Sequence, residues 1–128
     1  MTRGATMRIL IAEDNPAVGE IYQMVLTACG HHVELVTTFD EALRALKNTE
    51  HHAVITDGHY PGGLPDEPAG LRLLDVCQRE RIPALLITGD EQLALTANGR
   101  GHWFMLKPVM VPDLMGWVDG MQTLWGMP

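Results

Sequence analysis

The sequence lacks the marks of several large classes of protein. Its 128 residues include only two cysteines, Cys29 and Cys77, too few for a disulfide-stabilised secreted domain, so reduced thiols are predicted. No apolar run approaches the roughly 20 residues that a membrane-spanning helix requires. The first residues lack the apolar core and cleavage site of a signal peptide. We therefore expect a cytoplasmic protein that has no membrane partner.

Basic charge is also scarce. Nine lysines and arginines stand against 16 aspartates and glutamates, and the net charge is −7. Because an acidic surface repels a phosphate backbone, nucleic acid is not an expected partner. A chain of this length, with 46% hydrophobic residues, suits one folded domain with one core. We expect a loose leader over residues 1–6 and a single domain over residues 7–128, with no effector domain.

Five short apolar runs of strand type alternate with five helical patterns. The alternation predicts an α/β fold in which a parallel sheet carries helices on both faces. The fourth helix is expected to be short or irregular, because Glu91 to Ala97 provides only two turns before Asn98-Gly99-Arg100-Gly101 interrupts the pattern. The predicted strands are Arg8–Ala12, His32–Val36, Ala53–Asp57, Ala84–Thr88 and Trp103–Lys107.

Helical spacing of apolar residues predicts which helix faces are buried. Two helices give the clearest pattern, the first beginning at Asn15-Pro16 and the last at Pro112-Asp113. The predicted buried stripes are Val18, Ile21, Val25 and Cys29 in the first helix, and Leu114, Val118, Met121 and Trp125 in the last.

The segment from Gly58 to Gly70 is a long predicted loop. It contains three prolines and four glycines, which exclude a helix or a central strand. Since it follows the third strand directly, it is expected to overhang the end of that strand, where it would shield Asp57 or contact a partner.

Polar residues stand at the carboxyl ends of four predicted strands. They are Glu13-Asp14, Asp57, Thr88 and Lys107-Pro108. In an open parallel sheet these ends share one edge, where ligands bind. Carboxylates are the protein ligands that Mg²⁺ prefers, and a carboxylate can also attack a phosphoryl group. The pattern therefore predicts a site that holds a divalent cation and a phosphoryl group together.

Each residue type has a role in such a site. Asp14 and Asp57 would bind Mg²⁺ directly, and Glu13 would bind it through a water molecule. Asp57 would be the nucleophile, while the Lys107 ammonium and the Thr88 hydroxyl would stabilise charge on the phosphoryl oxygens.

Four segments carry a family resemblance. ILIAEDNP, AVITDGHYP, LLITG and FMLKP resemble the signature segments of receiver domains of two-component response regulators. The resemblance implies a flavodoxin-like (βα)5 fold with strand order 2-1-3-4-5. It also implies that a histidine kinase or a phosphotransfer protein passes a phosphoryl group from phosphohistidine to Asp57.

The resemblance assigns further roles by position. It implies that the backbone carbonyl of His59 is a Mg²⁺ ligand and that the peptide bond before Pro108 is cis. Gly89 would give the phosphoryl group room, and Phe104 would change position together with Thr88 on phosphorylation. The side chains at two further positions, His59 and Asp90, would tune the attack of water on the aspartyl phosphate.

Other readings of the sequence stay open. The chain is also compatible with a receiver taken from a larger hybrid kinase, or with an interaction module that is not phosphorylated. An aspartyl-phosphate hydrolase is disfavoured, because such an enzyme would carry Asp-x-Asp where this chain has Glu13-Asp14-Asn15. We expect a phosphoacceptor, not an enzyme, whose only catalysis is its own phosphorylation and dephosphorylation. The output target is unknown, and homodimer formation stays open.

Overall fold

Five strands and five helices alternate along the chain in the computed structural model, which describes residues 6–125. The strands form one parallel sheet in the order β2-β1-β3-β4-β5, so the predicted doubly wound fold is confirmed. Most of the predicted leader, residues 1–5, lies outside the described residues. The elements are β1 (Arg8–Ala12), α1 (Pro16–Ala28), β2 (His32–Val36), α2 (Phe39–Asn48), β3 (Ala53–Asp57), α3 (Ala69–Glu80), β4 (Ala84–Thr88), α4 (Glu91–Gly99), β5 (Trp103–Leu106) and α5 (Val111–Trp125).

The two faces of the sheet carry separate hydrophobic cores. Alternate residues of β1 divide between them: Leu10 packs with α2, α3 and α4, whereas Ile9 and Ile11 pack with α1 and α5. Because both faces are covered, the central strands β3 and β4 are buried along nearly their whole length. Cys77 lies in the first core and α1 packs on the opposite face, and both cysteines are free thiols. No helix in the described range is both long and apolar enough to cross a membrane.

Helix α1 shows one error in the predicted packing. Ile21, placed on the buried stripe, is 53% exposed, whereas Gly19 and Leu26 are the buried residues of this helix. A Cβ atom at Gly19 would lie 2.9 Å from Cδ1 of Leu35 on β2. The helix thus meets β2 through a glycine, and Ile21, two residues further on, lies away from this contact.

The last two helices agree more closely with the predictions. Helix α4 is short, as predicted, but continues to Gly99, two residues beyond the predicted end. On α5, Leu114, Val118 and Met121 are buried as predicted, and the Trp125 side chain lies outside the described part of the structure.

The loop between β3 and α3 is anchored to its surroundings. It contains a short bridge in which Leu64 and Glu67 exchange two backbone hydrogen bonds of 2.8 and 3.1 Å. The carbonyl of Pro61 accepts a hydrogen bond from the N–H of Phe39 at the start of α2. At the end of the loop, the N–H of Gly70 donates to the carbonyl of Gly58 at 3.0 Å, so α3 begins directly against the end of β3.

Two histidines accept hydrogen bonds from the backbone at the start of β1. The N–H of Met7 donates to Nδ1 of buried His31 at 3.1 Å, and the N–H of Arg8 donates to Nδ1 of His52 at 2.9 Å. These rings thus accept hydrogen bonds only while Nδ1 is unprotonated.

Replacing Gly70 by alanine is expected to lower the free energy of unfolding by about 1–3 kcal/mol. An added Cβ would lie 2.1 Å from the carbonyl oxygen of Asp57. The matched control is Gly120→Ala on α5, where an added Cβ meets nothing within 4 Å and a gain of up to about 1 kcal/mol is expected. Urea denaturation measures both variants. Equal effects of the two substitutions would contradict the close contact at Gly70.

Acid is expected to destabilise the fold through His31. Burial lowers the pKa of this imidazole, and the charge of Asp119 offsets part of the effect. As the pH falls through the ordinary histidine pKa of about 6.5, the unfolded chain binds a proton that the folded protein does not, so the free energy of unfolding falls. The His31→Asn variant keeps an acceptor for the Met7 N–H but does not titrate.

The measurement is urea denaturation at about pH 7.5 and about pH 5.5, on either side of the ordinary histidine pKa. We expect the difference between the two pH values to be smaller in His31→Asn than in the wild type. The control is His32→Asn, whose ring is exposed. A pH dependence that is unchanged in His31→Asn would show that His31 does not contribute to it.

Candidate functional site

The predicted site residues meet at the carboxyl edge of the sheet. Strands β1 and β3 are neighbours, with Ala12 opposite Thr56. Glu13, which follows β1, and Asp57, the last residue of β3, therefore lie at adjacent strand ends. On the other side of β3, the register of β4 with β5 places Thr88 opposite Leu106. The N–H of Lys107 continues this pairing and donates to the carbonyl of Thr88 at 2.9 Å.

Three carboxylates converge at this edge. One oxygen from each of Glu13, Asp14 and Asp57 lies within 4.8 Å of the others. The ammonium of Lys107 lies 3.3 Å from Oδ1 of Asp57 and 3.5 Å from Oε1 of Glu13. If all four groups are ionised, two negative charges are in excess. The donor set, made of oxygens with this residual charge, fits a divalent cation such as Mg²⁺.

The environment shifts the pKa values of two groups in this cluster. Burial raises the pKa of Glu13, the nearby charge of Asp57 adds to the rise, and a hydrogen bond from the N–H of Asn15 opposes it. Partial burial disfavours the charged form of Lys107, but the charges of Asp57 and Glu13 outweigh this effect, and the pKa of its ammonium is raised. The raised pKa favours the charged form of Lys107.

The residues around Thr88 form the other wall of the site. The Thr88 hydroxyl is buried and accepts a hydrogen bond of 3.0 Å from the N–H of Asp90. Gly89 has open space around it, since an added Cβ would come no closer than 4.0 Å to Lys107. Phe104 is half-buried and packs against the first core. The peptide bond between Lys107 and Pro108 is cis.

The structure joins two residues whose contact the sequence did not predict. Nε2 of His59 lies 2.9 Å from Oδ2 of Asp90. The other oxygen of Asp90 accepts a hydrogen bond from the N–H of Leu93 and caps α4. The hydrogen bond from His59 is the main cause that lowers the pKa of Asp90. Both residues were predicted to act on water near the phosphate, and here they are bonded to each other.

Gly58 is a site residue that sequence reasoning missed. A Cβ at this position would lie 2.4 Å from Cδ2 of Leu93 and 3.0 Å from Oγ1 of Thr88. Helix α4 thus packs directly on the residue after Asp57. The only signal in the sequence was the glycine itself, because a glycine at a strand end often marks a place where another segment packs closely against the backbone.

The loop after β3 does not bond to the Asp57 side chain through its central residues. Among the described residues, the hydrogen bonds of residues 61–68 run within the loop or to α2, α3 and Arg100. The predicted shielding of Asp57 by this loop therefore stays a prediction.

The chain was compared with families, curated proteins and solved structures. No family model matches it. The sensory/regulatory protein RpfC of Xanthomonas campestris pv. campestris is 30% identical over 118 residues, which cover 88% of this chain and 16% of RpfC. The two-component response regulator ORR24 of Oryza sativa is 27% identical over 128 residues, covering 93% of this chain and 18% of ORR24. The chain thus spans less than a fifth of the length of these curated relatives.

Solved structures match over nearly their whole length. The signal receiver domain of a signal transduction histidine kinase from Syntrophus aciditrophicus is 26% identical, with a TM-score of 0.80 and coverage of 96% of this chain and 95% of that one. The chain belongs to the receiver-domain family of two-component response regulators. A putative response regulator from Chloroflexus aurantiacus, 23% identical with a TM-score of 0.81, shares the fold of this receiver domain over 93% of this chain and 99% of that one.

Asp14→Asn is expected to stabilise the receiver domain when no divalent cation is present. The substitution removes one of three converging carboxylates and relieves part of their repulsion, by less than about 1 kcal/mol because Asp14 is exposed. In wild type, added Mg²⁺ should raise the unfolding midpoint, since a ligand that binds only the folded state stabilises it, and the variant should lose most of this response. Thermal unfolding in EDTA and in Mg²⁺ measures both effects.

The control is Asp66→Asn, which removes an exposed carboxylate of the β3–α3 loop. It should leave the Mg²⁺ response of the wild type intact. A full Mg²⁺ response in Asp14→Asn would argue against this carboxylate as a metal ligand.

Proposed function

We propose that this receiver domain accepts a phosphoryl group on Asp57 from the phosphohistidine of a histidine kinase or a phosphotransfer protein, and thereby changes its protein contacts. The observation that carries the proposal is the convergence of Asp57 with the acids of β1 and with Lys107 at one strand edge. Family membership supports a signalling role in a two-component system. The receiver domain acts as a phosphoacceptor, and its catalysis is confined to its own aspartyl group.

The chemistry is a transfer between two nucleophiles. A carboxylate oxygen of Asp57 forms a bond to phosphorus, while the bond between phosphorus and the donor imidazole breaks and its electron pair returns to the imidazole. Asp14, Asp57 and the backbone carbonyl of His59 would hold Mg²⁺, with Glu13 acting through a water molecule, and the ion would supply positive charge to the phosphoryl oxygens.

The chain's own groups supply the remaining stabilisation. The N–H of Gly58 donates to Oδ1 of Asp57 at 2.7 Å and fixes the orientation of the carboxylate. The Lys107 ammonium, 3.3 Å from the same oxygen, is within reach of a phosphoryl oxygen. The Thr88 hydroxyl can donate to another, since accepting from the Asp90 N–H leaves its own proton free. The open space at Gly89 leaves room for the phosphoryl group.

The phosphodonor protein docks, in this proposal, beside the acidic cluster on an apolar groove of about 490 Å³ between α1 and the residues after β5. Helix α1 has a single charged residue, Glu20, and its exposed side includes Ile21 and Met24. An apolar rim around a charged centre suits a protein donor that must exclude water during transfer. The groove is lined by Val18, Ile21, Tyr22, Lys107, Pro108 and Val109.

One alternative context has support of its own. The matched relative RpfC is a sensory/regulatory protein, and the matched domain from Syntrophus aciditrophicus belongs to a signal transduction histidine kinase. A receiver within a hybrid kinase would use the same residues, with transfer inside the larger protein.

Incubation with acetyl phosphate and Mg²⁺, followed by intact-protein mass measurement, tests the chemistry. We expect a phosphoryl adduct on wild type and on Asp66→Asn, and none on Asp57→Asn, on Asp57→Ala or in EDTA. An adduct that persists in both Asp57 variants would reject Asp57 as the acceptor. Failure of wild type to form an adduct or to respond to beryllofluoride would favour an interaction module that is not phosphorylated.

A further inference from the structure

Helix α4 is bonded at its first turn to the loop that follows the phosphoacceptor. Its capping residue, Asp90, uses one carboxylate oxygen for the N–H of Leu93 at 3.1 Å and the other for Nε2 of His59 at 2.9 Å. Leu93 also packs on Gly58, where an added Cβ would lie 2.4 Å away. The start of α4 is therefore in contact with the two residues that follow Asp57.

The last turn of α4 is bonded to the same loop. Arg100, its C-terminal cap, places Nη2 3.0 Å from Oε1 of Glu67, and this hydrogen bond contributes most to raising the pKa of the guanidinium. The same guanidinium forms an ion pair with Asp75 of α3. Asp75 also binds Nε2 of His102 at 2.9 Å, and the His102 side chain is only 6% exposed. Glu67 thus joins a network that already connects α3 with the start of β5.

The loop has the internal structure needed to hold Glu67 in place. Glu67 exchanges backbone hydrogen bonds with Leu64, and the carbonyl of Pro61 is bonded to the start of α2. The guanidinium of Arg72 binds the carbonyl of Gly62 and lies 4.0 Å from the ring centroid of Phe39. These contacts anchor the loop against two other helices, so Glu67 is presented from a fixed support.

We propose that the His59–Asp90 and Glu67–Arg100 contacts form a two-point clamp, through which the β3–α3 loop and α4 respond as one unit to phosphorylation of Asp57. This inference rests on the proposed function. A charge added at Asp57 acts first on Gly58 and His59, and the contact with Asp90 transmits the change to the first turn of α4. The Glu67–Arg100 pair keeps the C-terminal end of α4 attached to the same loop. Glu67 and Arg100 thus position α4 and do not contact the phosphoryl group.

The first test uses hydrogen exchange of α4 in the whole, unphosphorylated chain. Glu67→Gln and Arg100→Gln should each speed exchange of the last turn of α4 by about two- to five-fold, the factor that corresponds to losing an exposed ion pair. The double variant should exchange no faster than Arg100→Gln alone, because the two side chains act through one contact. Salt should speed exchange more in the wild type than in Glu67→Gln, which keeps only the ion pair of Arg100 with Asp75.

Asp66→Asn is the matched control, because it removes the neighbouring exposed carboxylate of the same loop. It should leave α4 exchange at the wild-type rate. Wild-type exchange in Glu67→Gln, or additive effects in the double variant, would overturn the clamp.

The second test adds beryllofluoride and Mg²⁺ to mimic the phosphorylated state. In wild type, exchange should change across residues 58–68 and along the whole of α4, whereas in Glu67→Gln the change should be confined to residues 58–60 and the first turn of α4. A change along all of α4 in Glu67→Gln would overturn the inference. If exchange in wild type does not change at any residue and no acetyl phosphate adduct forms, the proposed function is contradicted. The exchange rates of the unphosphorylated variants still test the clamp independently of that result.

Discussion

The parallel pairing of β1 with β3 brings together two strand ends that are separated by more than 40 residues of chain. In a parallel ladder the strands run in the same direction, so the residues that leave their carboxyl ends meet at one edge of the sheet. The register, with Ala12 opposite Thr56, places the acids after β1 beside Asp57. The convergence of the three carboxylates, on which the proposed metal site rests, depends on this pairing.

This pairing also creates an electrostatic cost. Three carboxylates lie within 4.8 Å of one another, and Glu13 among them is almost fully buried. Burial and mutual repulsion both favour the protonated form of a carboxyl group, as the raised pKa of Glu13 reflects. Lys107 offsets only part of this charge. Apolar burial on both faces of the sheet offsets the repulsion among these carboxylates. A bound cation would reduce this repulsion.

The loop after β3 contacts the short helix α4 at both of its ends. The loop spans residues 58–68, and α4 has nine residues. Glu67 of the longer segment contacts Arg100 at the end of the shorter one, and His59 contacts Asp90 at its beginning. The loop residues thus support α4 at both of its ends.

Much of the fold could be read from local patterns. The strands fall almost where the apolar runs do, because glycine, proline and polar residues bound each run and the central strands are buried on both faces. The residues at the strand ends were likewise predictable, since topology alone brings them to one edge. Local patterns also gave the burial of Leu114 and Val118 on α5, where the helical stripe is regular.

Contacts between distant segments were decided only by the tertiary structure. Ile21 is exposed whereas Gly19 packs against Leu35, and the apolar periodicity of α1 could not distinguish these two faces. His59 and Asp90 are 31 positions apart, and Glu67 and Arg100 are 33 apart. The sequence alone determined the fold class and which residues stand at the sheet edge, because these follow from local propensity and strand direction. Which side chains bond to each other across that edge depends on distances of a few ångströms between separate elements, and no local pattern encodes them.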